Sequence, residues 1–311
     1  MANQLPFPSF TRVWHNKIYP TIDPSQNPSI AATGKKVVIS GGGSGIGPHI
    51  VKAFAAAGAL QIVIFGRRIE TLKRTQEKVK REFPGTEVDV LVADIADEPS
   101  VCKLAADIKR LYGTWDVFVS NAGYSPELLS VTDSITSEWF KAFDVNVKGN
   151  FLLVREFAPF AAATGAVFVH VSSGACHALP RPGHSAYCAA KLASTKIMEH
   201  FQRECSHIRF TSIHPGIIPT EMANTLFKVS KALPIDDASL PAAFAVWVAS
   251  SEADFARGRM LWCNWDVGEL KMRASEIIEK NLLVTSLEGW ATYFPDPSSE
   301  VYKGILAEFL G

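Results

Sequence analysis

The chain has 311 residues, of which 47% are hydrophobic and 20% charged, and 31 Lys and Arg balance 31 Asp and Glu to a formal net charge of zero. That balance excludes a nucleic-acid binder, which needs surplus cations to displace counterions, and no apolar run approaches the roughly 18 residues of a membrane span. The length suits two domains of about 150 residues or one large α/β domain that hides about three quarters of its unfolded surface.

Residues 1–34 carry Pro6, Pro8, Pro20, Pro24 and Pro28 without sustained periodicity, so they are expected to form an irregular arm lying on the body or on a partner chain. Met1 to Lys17 holds no apolar h-region, so no secretory signal is expected and the setting is cytoplasmic.

From Lys36 short apolar runs alternate with longer helical stretches. Predicted strands are Val37–Ser40, Gln61–Phe65, Val88–Ala93, Asp116–Ser120, Ala166–Val171, Ile208–Ile213 and Met260–Cys263. Predicted helices are Ile46–Ala57, Glu70–Phe83, Ser100–Tyr112, Ser137–Ala163, Ser185–Cys205 and Leu240–Ser250. Strands without strict alternation are buried on both faces, which implies a parallel sheet between helical layers. Regular β–α alternation with right-handed crossovers gives a Rossmann-like, doubly wound α/β domain over residues 35–266. Residues 267–311 turn helical again, at Glu269–Asn281 and Ser299–Leu310, as an extension rather than a second core.

Cys102, Cys176, Cys188, Cys205 and Cys263 are scattered and form no C-x-x-C pair, so neither a disulfide framework nor a zinc knuckle is expected. His170, His177 and His184 recur every seven residues, but Gly174, Pro180, Pro182 and Gly183 break the helix that would align them, so no metal site is expected.

The first predicted strand runs into Gly41-Gly-Gly-Ser-Gly-Ile-Gly47 and a helix follows. At the carboxyl end of the first strand of such a sheet, glycines let a dinucleotide pyrophosphate approach bare backbone at a helix N-terminus. Pro48 suits the first helical turn, where its missing N–H is not needed. The second strand ends Gly66-Arg67-Arg68. An acidic residue there would serve a ribose 2′-hydroxyl, whereas a guanidinium pairs with a 2′-phosphate, so NADP(H) is preferred, with NAD(H) as the alternative.

Tyr187 and Lys191, four residues apart in Ser185-Ala-Tyr-Cys-Ala-Ala-Lys191, share one face of a helix. A phenol with pKa near about 10 is a poor acid–base group at neutral pH, and a nearby ammonium is expected to lower it. By itself the spacing is equally that of an inert surface pair.

Taken together these segments resemble the short-chain dehydrogenase/reductase family. The family's T-G-x-x-x-G-x-G is matched by Ser40-Gly41, Gly45-Ile46-Gly47, its N-N-A-G by Ser120-Asn121-Ala122-Gly123, and its mid-helix Asn by Asn146. Its serine strand is matched by Val171-Ser172-Ser173, its Y-x-x-x-K by Tyr187 and Lys191, and its P-G-x-x-x-T by Pro215-Gly216 and Thr220. The resemblance runs from about Lys35 to Trp265 with every motif in order, and Asn264–Glu269 resembles a fungal branch. Most members place the catalytic serine where this chain has Gly174, so the role is assigned to Ser173 through a one-residue insertion in the Pro180–Gly183 loop, with Ser172 as the alternative.

What the resemblance implies is a ketone–alcohol oxidoreductase. Tyr187 would give a proton to the carbonyl oxygen as hydride arrives from nicotinamide, and Ser173 would hydrogen-bond that oxygen. Lys191 would bind the ribose and tune Tyr187, while Asn146 would hold a water in the proton path. The cofactor would lie on Gly41, Gly43, Ser44, Gly45 and Ile46, on Arg67 and Arg68, and on Asp94 and Ile95 at the adenine. It would continue past Asn121, Ala122 and Gly123 to Tyr187 and Lys191, then to Pro215, Gly216, Ile218 and Thr220 at the carboxamide.

A hydrolase reading of Gly183-His-Ser185-Ala-Tyr187 fails for want of the final Gly of a nucleophile elbow. A Cys176–His177 dyad is disfavoured because adjacent side chains rarely face each other. The remaining rival is a cofactor-binding scaffold or sensor without hydride transfer. Glu221–Pro241 is expected to form a lid (Met222, Leu226, Phe227, Val229, Leu233), and with Trp139, Phe143 and Leu179 its apolar content implies an apolar small-molecule carbonyl or alcohol substrate. The family's dimerising helices correspond to the two longest predicted here, so a homodimer or homotetramer is expected.

Overall fold

Lys36–Ser40 (β1), Gln61–Gly66 (β2), Glu87–Val92 (β3), Val117–Ser120 (β4), Ala166–Val171 (β5), Ile208–His214 (β6) and Arg259–Trp262 (β7) form one sheet in the order β3-β2-β1-β4-β5-β6-β7. Every neighbouring pair is parallel. The structure is a computed structural model describing residues 7–178, 180–227 and 234–288. This is the expected Rossmann-like doubly wound sheet. Its chain order reverses between β1 and β4, so a cleft opens beyond the carboxyl ends of those strands.

Both faces are apolar because alternate strand residues feed opposite layers. Val37, Ile39, Val117 and Val119 pack with Phe54 and Trp247 on one side. On the other, Val38, Phe118 and Phe168 pack with Leu104 and Phe157. The helices are Gly47–Ala56 (α1), Ile69–Glu82 (α2), Glu98–Tyr112 (α3), Thr136–Phe143 (α4), Gly149–Phe157 (α5), Ser185–Glu204 (α6), Glu221–Phe227 (α7), Ser239–Ala249 (α8), Val267–Met272 (α9) and Ala274–Glu279 (α10). No helix among the described residues is long and apolar enough to cross a membrane.

Two expectations need correction. The single helix predicted over Ser137–Ala163 is interrupted by a π-helical turn at Asp144–Lys148 and ends in a 3₁₀ turn, Ala158–Phe160. Asn146 Nδ2 donates to the Ala142 carbonyl and Asn150 Nδ2 to the Asn146 carbonyl, at 2.8 and 2.7 Å. Each side chain thus takes the carbonyl four residues back that an α-helical N–H would use. The predicted Glu269–Asn281 helix divides at Arg273 into α9 and α10, while Ser299–Leu310 lies outside the described residues. The N-terminal arm lies on the body: Ile22 and Ile30 belong to one of the two main cores, together with Val267, Leu270 and Ile277 of the C-terminal extension. Glu269 accepts the Arg12 and Val13 N–H groups at 2.8 Å, and His15 and Asn264 exchange hydrogen bonds of 2.8 and 2.9 Å.

Candidate active site

The cleft at the switch point is a cavity of about 530 Å³. Its floor at one end is the glycine turn between β1 and α1. Gly41 and Gly45 have φ of +66° and +58°, left-handed values that glycine tolerates best. A Cβ on Gly47 would come within 2.1 Å of the Gly41 carbonyl, and one on Gly43 within 2.6 Å of Thr71 Oγ1. Such bare backbone at the start of a ten-residue helix is a cradle for an anionic phosphate. Ser40 fixes the neighbouring wall: its Oγ accepts the Asn121 and Ala122 N–H groups at 2.9 and 3.0 Å. Asn121 Nδ2 in turn donates to the Ser40 and Gly41 carbonyls.

Of the residues assigned from sequence, Gly41, Gly43, Ser44, Gly45, Ile46, Arg67, Arg68, Asp94, Ile95, Asn121, Ala122, Gly123, Ser173, Tyr187, Lys191, Pro215, Gly216, Ile218 and Thr220 all line this one cavity. A dinucleotide fits them, with the glycine turn as the cradle for its phosphates. Arg67 is exposed at the rim, with Nη1 4.0 Å from Asp94 Oδ2.

Asn146 is the exception. It is fully buried and does not line the cavity. Its amide Nδ2 also donates to the Tyr124 carbonyl at 2.8 Å, and its Oδ1 accepts the Tyr124 N–H at 3.2 Å, so the side chain ties the β4 loop to α4.

At the other end, α6 brings Tyr187 and Lys191 to the wall while the turn after β5 brings Ser173. Ser173 stands near enough to Tyr187 to moderate its phenol, and Ser173 Oγ accepts the Ala175 N–H at 3.2 Å. Ser172, the alternative, is buried and also lines the cavity, with Oγ 2.7 Å from Thr195 Oγ1 on α6. Lys191 donates Nζ–H to the Val171 carbonyl at 2.8 Å and stands 6.0 Å from the Tyr187 ring centroid. The electrostatics differ from the sequence expectation. Burial pushes the Tyr187 phenol up to about 12, a rise that Ser173 moderates. Burial also draws the Lys191 ammonium down to about 8. Both groups are nine-tenths or more inaccessible, so desolvation outweighs their mutual influence.

Sequence reading missed Thr71, Tyr124 and His214, which also line the cavity. None belongs to a motif; Thr71 and Tyr124 could have been found as close followers of Arg68 and Gly123, and His214 as the residue before Pro215. Trp139 and Phe143, expected at the substrate, instead stack on each other at 5.2 Å beside Ala142, Ala186 and Ala190. Met222 lines the cavity as expected of the lid; Leu179, Val229 and Leu233 lie outside the described residues. Cys176 and His177 do meet, with Sγ 3.3 Å from Nδ1, because a 3₁₀ turn folds the loop. Burial raises that thiol to about 11, the opposite of an activated nucleophile.

Comparison with known proteins bears on the same residues. A family model described as short chain dehydrogenase matches residues 35–231. Short chain dehydrogenase mpl6 of Monascus purpureus is 32% identical over 280 residues, covering 88% of this chain and 94% of that protein. Short chain dehydrogenase/reductase AacuD of Aspergillus aculeatus is 31% identical, covering 84% and 89%. Among solved structures, a short-chain type dehydrogenase/reductase from Mycobacterium ulcerans superposes with a TM-score of 0.68 at 23% identity, over 75% of this chain and 89% of that one. A short chain dehydrogenase from Salmonella enterica serovar Typhi gives 0.70 at 20% identity, over 79% and 99%; these two speak to the fold. The chain belongs to the short-chain dehydrogenase/reductase family, among oxidoreductases related to fungal members.

Proposed function

We propose that the protein reduces a ketone on an apolar small molecule to a secondary alcohol, with NADP(H) as the preferred cofactor. The observation that carries this reading is the convergence of Ser173, Tyr187 and Lys191 on one wall of a cavity whose other end is the glycine cradle. The nicotinamide, when bound, supplies the hydride.

The chain's own groups supply the rest. Tyr187, held protonated across the physiological range by burial, donates its phenolic proton to the carbonyl oxygen as negative charge develops there. Ser173 hydrogen-bonds the same oxygen; a donor of this kind contributes about 3 kcal/mol to the transition state. Lys191, anchored by Val171, holds the ribose and offers a positive charge beneath the phenol. The Asn146 amide is committed to Tyr124 and Ala142, so its carbonyl, which also accepts from Asn150, is the atom that would hold the relay water.

Arg67 at the rim supports the NADP(H) preference, since a guanidinium matches phosphate oxygens in charge and shape. Phe140, Phe151 and Leu192 stand exposed on α4, α5 and α6, which supports a homodimer or homotetramer through those helices. Five free thiols agree with a reducing, cytoplasmic setting. The test is NADPH binding by fluorescence followed by turnover on a panel of apolar ketones. Reduction of at least one is expected; tight binding with no turnover across the panel would favour the scaffold reading instead.

A further inference from the structure

The end of β6 carries a group that the proposed chemistry does not use. His214 lines the same cavity as Ser173 and Tyr187. Its ring is wedged edge-to-face against Trp262, with centroids 4.4 Å apart, and its Cδ2 is 3.2 Å from where a Cβ on Gly174 would stand. It therefore sits beside the residue that follows Ser173. Among the described residues neither ring nitrogen has a hydrogen-bond partner, and Nδ1 is shut off from solvent as well.

Each neutral imidazole has one donor and one acceptor nitrogen. The neighbouring His177 has its tautomer set by contact: Trp262 Nε1–H donates to His177 Nε2 at 3.1 Å, which leaves the His177 proton on Nδ1, toward Cys176. For His214, burial and the facing His177 draw the ring down to about 3, so it is neutral at any physiological pH. With Nδ1 enclosed and without a partner, the tautomer that strands no donor in the interior carries its proton on Nε2, leaving Nδ1 as the acceptor. An Nε2–H donor on a ring packed against Trp262 would then serve the cavity that Ser173 and Tyr187 also line.

We infer that His214 is a specificity-determining residue whose Nε2–H binds a second acceptor oxygen on the substrate, so that the natural substrate class is a ketone bearing another oxygen function close by, such as a β-dicarbonyl compound, rather than a plain alkyl ketone. This deepens the ketone-reductase reading and rests on it. A site that holds an unpaired donor rejects the analogue lacking the matching oxygen, because the donor then stays unsatisfied.

The test compares ethyl acetoacetate, which carries a second acceptor oxygen, with 2-octanone, which does not. Both are measured on the native protein, on His214→Phe and on His214→Asn. His214→Phe keeps the ring against Trp262 and removes a buried unpaired nitrogen, so folding is retained; His214→Asn restores a donor. In the native protein kcat/KM should favour the keto ester by about tenfold, the worth of one hydrogen bond. In His214→Phe that ratio should fall toward unity, mainly through KM for the keto ester, with partial recovery in His214→Asn. Dissociation constants of both ketones, read from tryptophan fluorescence with NADPH present, should follow the same ratios. A ratio unchanged between native protein and His214→Phe, or no native preference, overturns the inference. Absence of turnover on both ketones would count against the reductase reading alone, and the binding ratios would then decide the role of His214 on the same terms.

Discussion

A side chain at position 174 would collide with Trp262: a Cβ built on Gly174 comes within 2.6 Å of the indole Cζ2. The position where most family members carry their serine is therefore closed in this chain, and the serine proposed to act with Tyr187 is one residue earlier, Ser173, which lines the same cavity. Ser173→Ala is expected to lower kcat about a hundredfold with little change in stability, as loss of one oxyanion donor does. Gly174→Ala should instead overpack the site and cost about 1–3 kcal/mol in chemical denaturation. A Ser173→Ala protein of native kcat would hand the role to another group.

The rate of reduction should depend on pH through Lys191. Its ammonium is lost as pH rises through about 8, whereas Tyr187 stays protonated to about 12. kcat/KM is therefore expected to be level near neutrality and to fall above about pH 8, measured at constant ionic strength. The same depression makes the unfolded chain hold this proton more tightly, so Lys191 adds stability as pH rises from about 8 to lysine's ordinary 10.5. A rate that stays level well beyond pH 8 would show that the charge on Lys191 is not needed.

Arg67 faces Asp94 across the rim of the cleft, 4.0 Å apart, with Arg67 exposed and Asp94 half-buried, so their pairing is weak and the guanidinium can turn to a phosphate. Arg67→Ala should weaken NADPH binding about tenfold or more while leaving NADH affinity within about threefold, by fluorescence titration. Equal losses for the two cofactors would remove the basis of the NADP(H) preference.

Asp236 clamps the segment after β6 to the N-terminal arm through Asn264. Its N–H donates to the Ile217 carbonyl and its Oδ2 accepts the Ile217 N–H, at 2.9 and 2.8 Å. Asn264 Nδ2 donates at 2.9 Å both to Asp236 Oδ1 and to the His15 carbonyl. Asp236→Ala would strand the part-buried Ile217 N–H and one of the two Asn264 amide hydrogens, so a loss of about 1–3 kcal/mol in stability is expected, with a higher Kd for NADPH. A loss below about 0.5 kcal/mol would show that the clamp contributes little.

The strands, the glycine turn and the Tyr187–Lys191 pair were legible because each depends on local rules: apolar runs of strand length, glycine where φ is positive, and helical spacing of four. What escaped depends on contacts distant in sequence. His15 meets Asn264 across 249 positions, and no pattern in either segment announces it. The π turn at Asp144–Lys148 arises from where two asparagine amides point, which periodicity does not encode. The serine register was ambiguous because its cause, Trp262, lies on β7, a different strand from the one that carries the serine. Helical spacing puts Tyr187 and Lys191 on one helix facing one cavity, but their burial, which dominates both pKa values, is not encoded in spacing.

The central claim, that Tyr187 is the proton donor in a hydride-transfer reaction, is tested most directly by Tyr187→Phe assayed for NADPH-dependent reduction of the best ketone found. The expected result is a loss of about a hundredfold to ten-thousandfold in kcat, with NADPH Kd within about threefold of native. Reduction that persists at the native rate in Tyr187→Phe would contradict it.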